Sequence, residues 1–280
     1  MAIIPSEALK EICSEVNGEF GLYASVYDSD EKFVINGDKK FNSASTIKIP
    51  LLALLLKDFE EGRLDSTTPV TLTDENRVYG SGVLNSMSPA VSLNLYDYAV
   101  LMIIVSDNSA TNQIIDAVGL NRANEFFLKN GWTQTHLAGK LYSAKPLLAD
   151  GTPDYNSTSA ADLGDMMEKV LNGTMVSENV SRQMMQIMAA QQLGKFNLSL
   201  PVERYSRTTN PLPPAPEGKL IMANKGGSLE GKVLHDAAIM ILPNGRKAVL
   251  TMMTATPDND VTTEVLKKVS RAFYDSLIKE

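Results

Sequence analysis

A serine and a lysine lie three positions apart at the start of a strongly apolar stretch. The segment SASTIKIPLLALLLKDFEEG covers residues 43–62 and contains Ser45 and Lys48. This spacing places both side chains on one helical face, and Pro50 favours a nearby helix start because proline is tolerated in the first turn. Burial would lower the pKa of the Lys48 amine, and a neutral amine can take a proton from a serine hydroxyl. The pair predicts an activated nucleophile; the alternative is a capping serine and a lysine that extends to solvent.

Two further polar motifs interrupt apolar segments. Ser106, Asp107 and Asn108 lie where YDYAVLMIIV stops and SATNQIIDAV begins. Residues 225–228, with the sequence KGGS, follow the strand-like segment LIMAN. Each has an ordinary explanation, helix capping for the first and a glycine turn with a surface lysine for the second. Their order after Ser45 and Lys48 makes a shared site the more specific hypothesis.

Composition excludes several classes of function. The chain has 280 residues, 44% of them hydrophobic, and a formal net charge of −7, as expected for a globular protein. Its Lys and Arg residues are scattered, so we expect no nucleic acid partner. Cys13 is the only cysteine and there are two histidines, so neither an intrachain disulfide nor a dense Cys/His metal site is expected. We therefore predict no metal and no cofactor.

The sequence has no obvious membrane or targeting segment. The apolar run at residues 49–56 is far too short to span a bilayer. The N-terminal residues lack a basic region followed by an apolar core. As written, the chain is expected to be cytoplasmic, whereas removal of a leader would make a secreted or periplasmic protein the expectation.

The terminal segments predict strands covered by helices. Residues 6–16 have the periodicity of an amphipathic helix, and residues 20–37 that of two strands joined by a polar turn. Near the other end, residues 234–255 predict a hairpin that turns at Pro-Asn-Gly, and residues 261–279 a second amphipathic helix. The sequence therefore predicts an antiparallel sheet with a helix from each terminus.

The middle of the chain reads as helical. We predict an α/β lobe from residues 1–44 and 212–280, and an inserted all-helical lobe from residues 45–211. Residues 201–218 are rich in proline and predict a loop that returns to the sheet, and the sequence leaves open whether this loop covers the cleft. The active site is expected in the cleft between the lobes.

The motifs S-x-x-K, S-D-N and K-[T/S]-G, in this order, are typical of class A β-lactamases and penicillin-binding proteins. The sequence resembles that superfamily over almost its whole length, with Gly226 in place of the usual hydroxyl residue. The resemblance implies an α+β fold of the β-lactamase-like type. It would have an antiparallel five-stranded sheet, flanking terminal helices and an inserted all-α lobe.

The resemblance implies four catalytic side chains. Ser45 would form an acyl-enzyme, and Lys48 would be its general base or part of the proton relay. Ser106 would pass a proton to the leaving nitrogen. Lys225 would attract a substrate carboxylate and tune Ser106.

The resemblance also implies a set of binding residues. The main-chain N–H groups of Ser45 and Ser228 would form the oxyanion hole. Asn108 would hold an amide of the substrate, and Tyr79 would stack on a substrate ring or else pack a glycine-rich loop. His235 would stand in for a basic residue or else be an ordinary strand residue. Substrate contacts are therefore predicted for Tyr79, Asn108, Gly226, Gly227, Ser228 and His235.

Two departures from the family pattern bear on function. In class A β-lactamases a loop glutamate activates the hydrolytic water, but residues 136–164 contain no glutamate. Gly226 lacks the hydroxyl that grips the substrate carboxylate, a loss of roughly 1.5 to 3 kcal/mol of binding. Fast deacylation of a β-lactam therefore has no obvious base.

The predicted function is that of a serine hydrolase or acyltransferase that acts on a small-molecule or peptide substrate. The bond attacked would be an amide, a β-lactam or an ester. A DD-peptidase, penicillin-binding or esterase-like enzyme is favoured over an efficient β-lactamase. The alternatives are a true β-lactamase with a non-standard deacylation route, a tailoring amidase, and a sensor that stays acylated. The sequence leaves the oligomeric state open.

Overall fold

A computed structural model describes residues 3–27, 29–193, 199–203, 205 and 212–279. Within these residues the helices are α1 (Ser6–Cys13), α2 (Lys48–Glu60), α3 (Leu95–Ile104), α4 (Asn108–Val118), α5 (Leu120–Lys129), α6 (Ala160–Leu171), α7 (Glu178–Ala189) and α8 (Asn259–Ile278). The strands are β1 (Glu19–Val26), β2 (Lys32–Ile35), β3 (Phe41–Asn42), β4 (Pro69–Thr71), β5 (Ser92–Asn94), β6 (Ser157–Thr158), β7 (Val202–Glu203), β8 (Leu220–Leu229), β9 (Val233–Ile241) and β10 (Lys247–Ala255).

The main sheet confirms the α+β class, with one more strand than predicted. Its order is β2-β1-β10-β9-β8-β7, and all neighbours are antiparallel except β7 and β8. The extra strand β7 has two residues and pairs in parallel with Leu220 and Ile221. A two-residue strand is too short to show an alternating pattern, and it lies in the proline-rich stretch that predicted a loop. Residues 204 and 206–211 of that loop lie outside the described residues.

The sheet has an apolar core on each face. On one face, α1 and α8 cover side chains of the sheet, with Leu9, Leu22 and Phe273 fully buried. The stripe predicted for α8 is confirmed, because its buried residues recur every three or four positions. On the other face, the helices between β3 and β7 form the larger core. The sheet is thus covered on both sides, as its apolar strands require.

Helix α2 lies at the centre of the larger core. Every residue from Lys48 to Leu56 is buried, which explains why the sequence of this helix is apolar on all sides. The segment 45–211 also contains short strands, because β4 pairs with β5 and β6 pairs with β3. The predicted lobe boundaries stay a prediction, and residue 211 lies outside the described residues.

Three structural features meet at the start of α2. A short 3-10 helix, Ala44–Ile47, leads into α2 and packs against β8 and β9. The turn between α3 and α4 carries Ser106 and Asp107 to the same place. Within the described part of the chain, none of the helices is sufficiently long and apolar to cross a membrane.

Candidate active site

Ser45 and Lys48 lie where the 3-10 helix becomes α2. In a 3-10 helix, residues i and i+3 eclipse, so the two side chains share one face. Ser45 is partly exposed, whereas Lys48 is completely buried. Ala44 has a φ of 43°, an uncommon value for a residue with a side chain, and its N–H donates to Asn42 Oδ1 at 3.0 Å. The strained turn presents Ser45 to solvent directly above the buried amine.

Strand β8 lies against the main chain of Ser45. A Cβ added to Gly227 would lie 2.9 Å from the Ser45 nitrogen and 3.1 Å from the Ser43 oxygen. The first N–H groups of a helix have no partner within the helix, so the Ser45 N–H is available to a ligand. Ser228 follows Gly227 on the same strand and is exposed. The geometry therefore fits an oxyanion hole between the first turn and this strand.

The Lys48 amine is surrounded by three polar oxygens. Its Nζ lies 2.7 Å from the Ser106 carbonyl oxygen, 3.0 Å from Ser106 Oγ and 2.9 Å from Asn108 Oδ1. Burial, followed by the nearby Lys225 charge, lowers its pKa well below the usual value, against the attraction of Asp107. A neutral amine has two N–H donors and one lone pair, which match two carbonyl-type oxygens and one hydroxyl. The surroundings thus suit an uncharged lysine.

Ser106 connects the two buried lysines. Its backbone has a φ of 54°, and Lys225 Nζ donates to its Oγ at 3.0 Å. Lys225 also donates to the Gly226 carbonyl at 2.7 Å. Burial lowers the pKa of Lys225 to about 7, with Asp236 opposing the shift. A continuous path for protons therefore runs from Lys225 through the Ser106 hydroxyl to Lys48.

Asp107 holds the turn that carries Ser106. One carboxylate oxygen accepts from the N–H groups of Val83 and Leu84 at 2.6 and 2.9 Å. The other accepts from Ala110 N–H at 2.9 Å and so caps α4. Asp107 is buried, and all three bonds go to main-chain donors. Its arrangement is that of a brace between α4 and the loop before it.

Replacing Asp107 with alanine is expected to lower the free energy of unfolding by about 3 kcal/mol or more. The variant leaves three main-chain donors without their acceptor, each at a cost of about 1 to 3 kcal/mol. Urea denaturation followed by circular dichroism measures the change. Asp107→Asn is the matched control, because it retains one acceptor oxygen and should lose less. An alanine variant within about 1 kcal/mol of the wild type contradicts the bracing role.

Asn108 is close to the relay, whereas the Tyr79 side chain is not. Asn108 Nδ2 donates to the Tyr79 carbonyl at 3.1 Å while its Oδ1 accepts from Lys48. The Tyr79 side chain is 83% exposed and does not line either cavity beside Ser45. Its contribution to the site is a carbonyl oxygen that orients Asn108. The predicted stacking of its ring on a substrate stays a prediction.

His235 has the surroundings of a structural strand residue. It is fully buried, with Nε2 2.7 Å from the Asn42 carbonyl oxygen and Nδ1 accepting from Thr254 N–H at 3.1 Å. Burial lowers its pKa to about 4, so the ring is neutral at pH 7. Both ring nitrogens are occupied by main-chain groups, and His235 lines neither cavity beside Ser45. The structure therefore favours the ordinary alternative over a substitute basic residue.

Two cavities flank Ser45. The larger, of about 380 Å³, contains Lys225 and is lined by Ser45, Ser81, Ser106, Gln192, Leu193, Lys225, Gly226, Gly227, Ser228 and Leu234. The smaller, of about 210 Å³, is lined by Asn42, Ala44, Ser45, Ser81, Asn108, Leu141, Tyr142, Lys145, Tyr155, Asn156, Ser228 and Leu229. Among the described residues that line them there is no aspartate or glutamate. A substrate carbonyl at Ser45 would thus have one substituent in each cavity.

The acidic residues of the loop between α5 and α6 have other partners. Asp154 pairs with His136 Nε2 at 2.8 Å, and Asp150 accepts from the Thr152 N–H at 2.9 Å. Asn156, which faces the smaller cavity, accepts from the N–H groups of Ala138 and Gly139. Within the described residues, no group of three or more His, Cys, Asp or Glu side chains converges on a possible metal site.

The structure brings Ser45, Lys48, Ser106, Asn108 and Lys225 to one place, together with the strand that carries Gly226, Gly227 and Ser228. Their catalytic and binding roles stay predictions. The residues KGGS belong to β8 itself, rather than to a turn after it. Sequence reasoning did not single out Ser81, Tyr142 and Lys145, which also line the cavities. For Ser81 a signal existed, since it lies between two glycines in the loop next to Tyr79.

Comparisons with known proteins agree with this architecture. Beta-lactamase CARB-3 of Pseudomonas aeruginosa is 26% identical over 174 residues, which are 61% of this chain and 58% of that protein. The chain thus matches less than two thirds of that relative's length. The structure of PBP-A is 28% identical, with a TM-score of 0.81 over 98% of this chain and 96% of that one. A variant of PBP-A has been solved as an acyl-enzyme complex with penicillin G.

Another solved structure gives the same result. A β-lactamase from Sphaerobacter thermophilus is 26% identical, with a TM-score of 0.83 over 100% of this chain and 98% of that one. The sequence model of the Beta-lactamase enzyme family matches residues 5–277. Since this match spans nearly the whole sequence, the chain belongs to the β-lactamase enzyme family.

Proposed function

We propose that the protein is a serine hydrolase or acyltransferase that forms a long-lived acyl-enzyme on Ser45. The expected activity is that of a penicillin-binding, DD-peptidase-like or esterase-like enzyme, not of an efficient β-lactamase. The observation that carries this choice is the absence of any carboxylate among the described residues that line the two cavities beside Ser45. A site of this kind can acylate a serine but offers no carboxylate to activate water.

Acylation follows from the surroundings of the two lysines. Neutral Lys48 takes the proton of the Ser45 hydroxyl as the oxygen attacks the substrate carbonyl. The N–H groups of Ser45 and Ser228 stabilise the resulting oxyanion. As the C–N bond breaks, the leaving nitrogen takes the Ser106 proton, and Ser106 Oγ is replenished by the neighbouring lysine, 3.0 Å away. The products of this step are an acyl ester on Ser45 and a free amine.

Deacylation is the step for which the site lacks a base. The two loop carboxylates nearest in sequence, Asp150 and Asp154, bond to Thr152 and His136. Asn156 uses its side-chain oxygen for two main-chain N–H groups of its own loop. The PBP-A variant captured with penicillin G supports the proposal by likeness, because that protein retains its acyl group long enough to be observed. We expect the present protein to accumulate a similar ester.

Intact mass measured over time tests this proposal. With excess penicillin G, the wild-type mass should rise by one penicillin equivalent and stay raised for hours after the free antibiotic is removed. Ser45→Ala should gain no mass, and a tryptic digest should place the label on Ser45. Rapid consumption of penicillin G without an accumulated adduct would contradict the proposal and favour a β-lactamase. No adduct on the wild type would remove the acyl-enzyme mechanism for this substrate class.

A substrate panel separates the activities within the class. Release of D-alanine from a D-alanyl-D-alanine peptide identifies a DD-peptidase, and release of p-nitrophenol from an ester identifies an esterase. The cavity that contains Lys225 supports substrates with a carboxylate on the leaving side, because the lysine provides the positive charge there. A second candidate, β-lactam hydrolysis, is favoured by the likeness to beta-lactamase CARB-3. Turnover of penicillin measured alongside the panel decides between them.

A further inference from the structure

The smaller cavity beside Ser45 contains a single charged side chain among the described residues that line it. That residue is Lys145, and the others are polar or apolar, including the rings of Tyr142 and Tyr155. The cavity lies on the opposite side of Ser45 from Lys225, which lines the larger one. Ser45 is thus flanked by two lysines, of which only Lys225 has a place in the mechanism above.

Lys145 retains hydrogen-bonding capacity towards the cavity. Its Nζ donates to the Lys140 carbonyl, which uses one of the three N–H donors of an ammonium group. The acidic residue that acts on its charge is Asp154, whose carboxylate is already bonded to His136 and to the Tyr155 N–H. Burial lowers the pKa of Lys145, against the attraction of Asp154. A ligand anion would add a direct partner and restore what burial removes.

The segment that carries Lys145 is fixed in position. Asn156 accepts from the N–H groups of Ala138 and Gly139 and donates to the Gly139 carbonyl at 3.2 Å. A Cβ added to Gly139 would lie 3.3 Å from Lys145 Nζ, so the ammonium lies over this glycine. The buried amide of Asn156 therefore holds the floor on which the Lys145 amine rests.

Tyr142 covers the same cavity in a strained conformation. Its φ is 57°, which is rare for an aromatic residue and costs about 1 to 3 kcal/mol by the usual range for such positions. A Cβ added to Gly80 would lie 2.5 Å from the Tyr142 hydroxyl, so the ring reaches across to the loop at Gly80. Strain of this kind clusters at sites that bind a ligand.

We propose that this cavity binds the acyl side chain of the substrate and selects side chains that end in a carboxylate. The proposal rests on the proposed function, because it assumes an acyl group on Ser45. If the leaving side of the substrate lies with Lys225, the acyl side lies in the smaller cavity, where Lys145 supplies the charge. An amine with a free donor, in a pocket otherwise lined by uncharged groups, favours an anion over a neutral group of the same shape.

Acylation rates with a matched pair of penicillins test the selectivity. The two compounds share one nucleus, and their otherwise identical acyl side chains end in a carboxylate or in a carboxamide. For the wild type, the second-order rate constant of Ser45 acylation should be about tenfold higher with the carboxylate compound. Lys145→Met should reduce this ratio to about one, while Lys145→Arg should retain most of it.

Lys129→Met is the control for a general loss of positive charge, because Lys129 is exposed on α5. It should leave the ratio of the two rate constants at the wild-type value. Equal rate constants in the wild type, or a preference that survives Lys145→Met, would overturn the selectivity while leaving the proposed function intact. The same holds if Lys145→Met slows only deacylation, since Lys145 would then act on water. Failure of both penicillins to label Ser45 would instead refute the proposed function and this inference together.

Discussion

Replacing Lys48 with methionine is expected to lower the rate of Ser45 acylation about 10³-fold. The amine is completely buried and its pKa is well below the usual value, so it is the neutral base available to the Ser45 hydroxyl. Methionine fills a similar volume without a lone pair that can take a proton. Stopped-flow or intact-mass kinetics with penicillin G measure the change against the wild type.

The accompanying change in stability is expected to be far smaller. The variant leaves the Ser106 carbonyl and Asn108 Oδ1 without one donor each, at about 1 to 3 kcal/mol for each group. Removing a desolvated amine from the core offsets part of this loss. Lys57→Met, on the same helix but paired at the surface with Glu61, is the matched control and should acylate like the wild type. A fall of less than about tenfold for Lys48→Met would mean that another group takes the proton.

The positions of the catalytic motifs could be predicted from the sequence because each motif interrupts an apolar segment. Ser45 and Lys48 begin a buried helix, and Ser106 follows the end of another. A polar residue at such a break is either a cap or part of a site. Three breaks that match one family pattern leave few other arrangements.

His235 shows where this reasoning ends. Its neighbours in sequence are compatible with a residue at the cleft, but its ring is fixed by Asn42 and Thr254, which belong to distant strands. Burial then lowers its pKa to about 4. Neither contact has a signal in a single sequence, because both partners use main-chain atoms that every residue possesses.

Lys145 illustrates the same limit for a binding residue. The loop between α5 and α6 was searched for a glutamate, and its lysines had no pattern that distinguished them from surface residues. Its position next to Ser45 depends on how Asn156 bonds the main chain of residues 138 and 139. Strand β7 was missed for a related reason, since two residues that pair with Leu220 and Ile221 show no periodicity. Features built from main-chain contacts are therefore the ones that required coordinates.

The two lysines of the relay divide the work between protonation states. Lys48 is shielded from water and lies next to Lys225, so each amine disfavours a proton on the other. The pKa of Lys225 is about 7, and a bound substrate carboxylate would raise it. Substrate binding would thus keep the charge on Lys225 and leave Lys48 neutral, which is the state that acylation needs.

Substituting Gly227 with alanine is expected to lower the acylation rate about 10²-fold or more, the effect of losing an oxyanion-hole donor. The added Cβ would lie 2.9 Å from the Ser45 nitrogen, 3.1 Å from the Ser43 oxygen and 3.1 Å from the Thr46 nitrogen. All three are main-chain atoms, which cannot move aside by a change of rotamer. Either β8 or the first turn must shift, and the two N–H donors then no longer converge. Acylation by penicillin G, measured by intact mass, gives the rate.

Gly164→Ala separates this effect from crowding in general. Its Cβ would lie 2.4 Å from the Tyr23 ring, between α6 and the sheet, and should therefore lower the free energy of unfolding. Since that contact does not involve the Ser45 turn, acylation by folded Gly164→Ala should proceed at nearly the wild-type rate. Gly227→Ala should show the reverse pattern, with a large kinetic loss at temperatures where the protein is fully folded by circular dichroism. If Gly227→Ala acylates normally, the oxyanion hole does not depend on the close approach of β8, and the stabilising donors must lie elsewhere along the first turn.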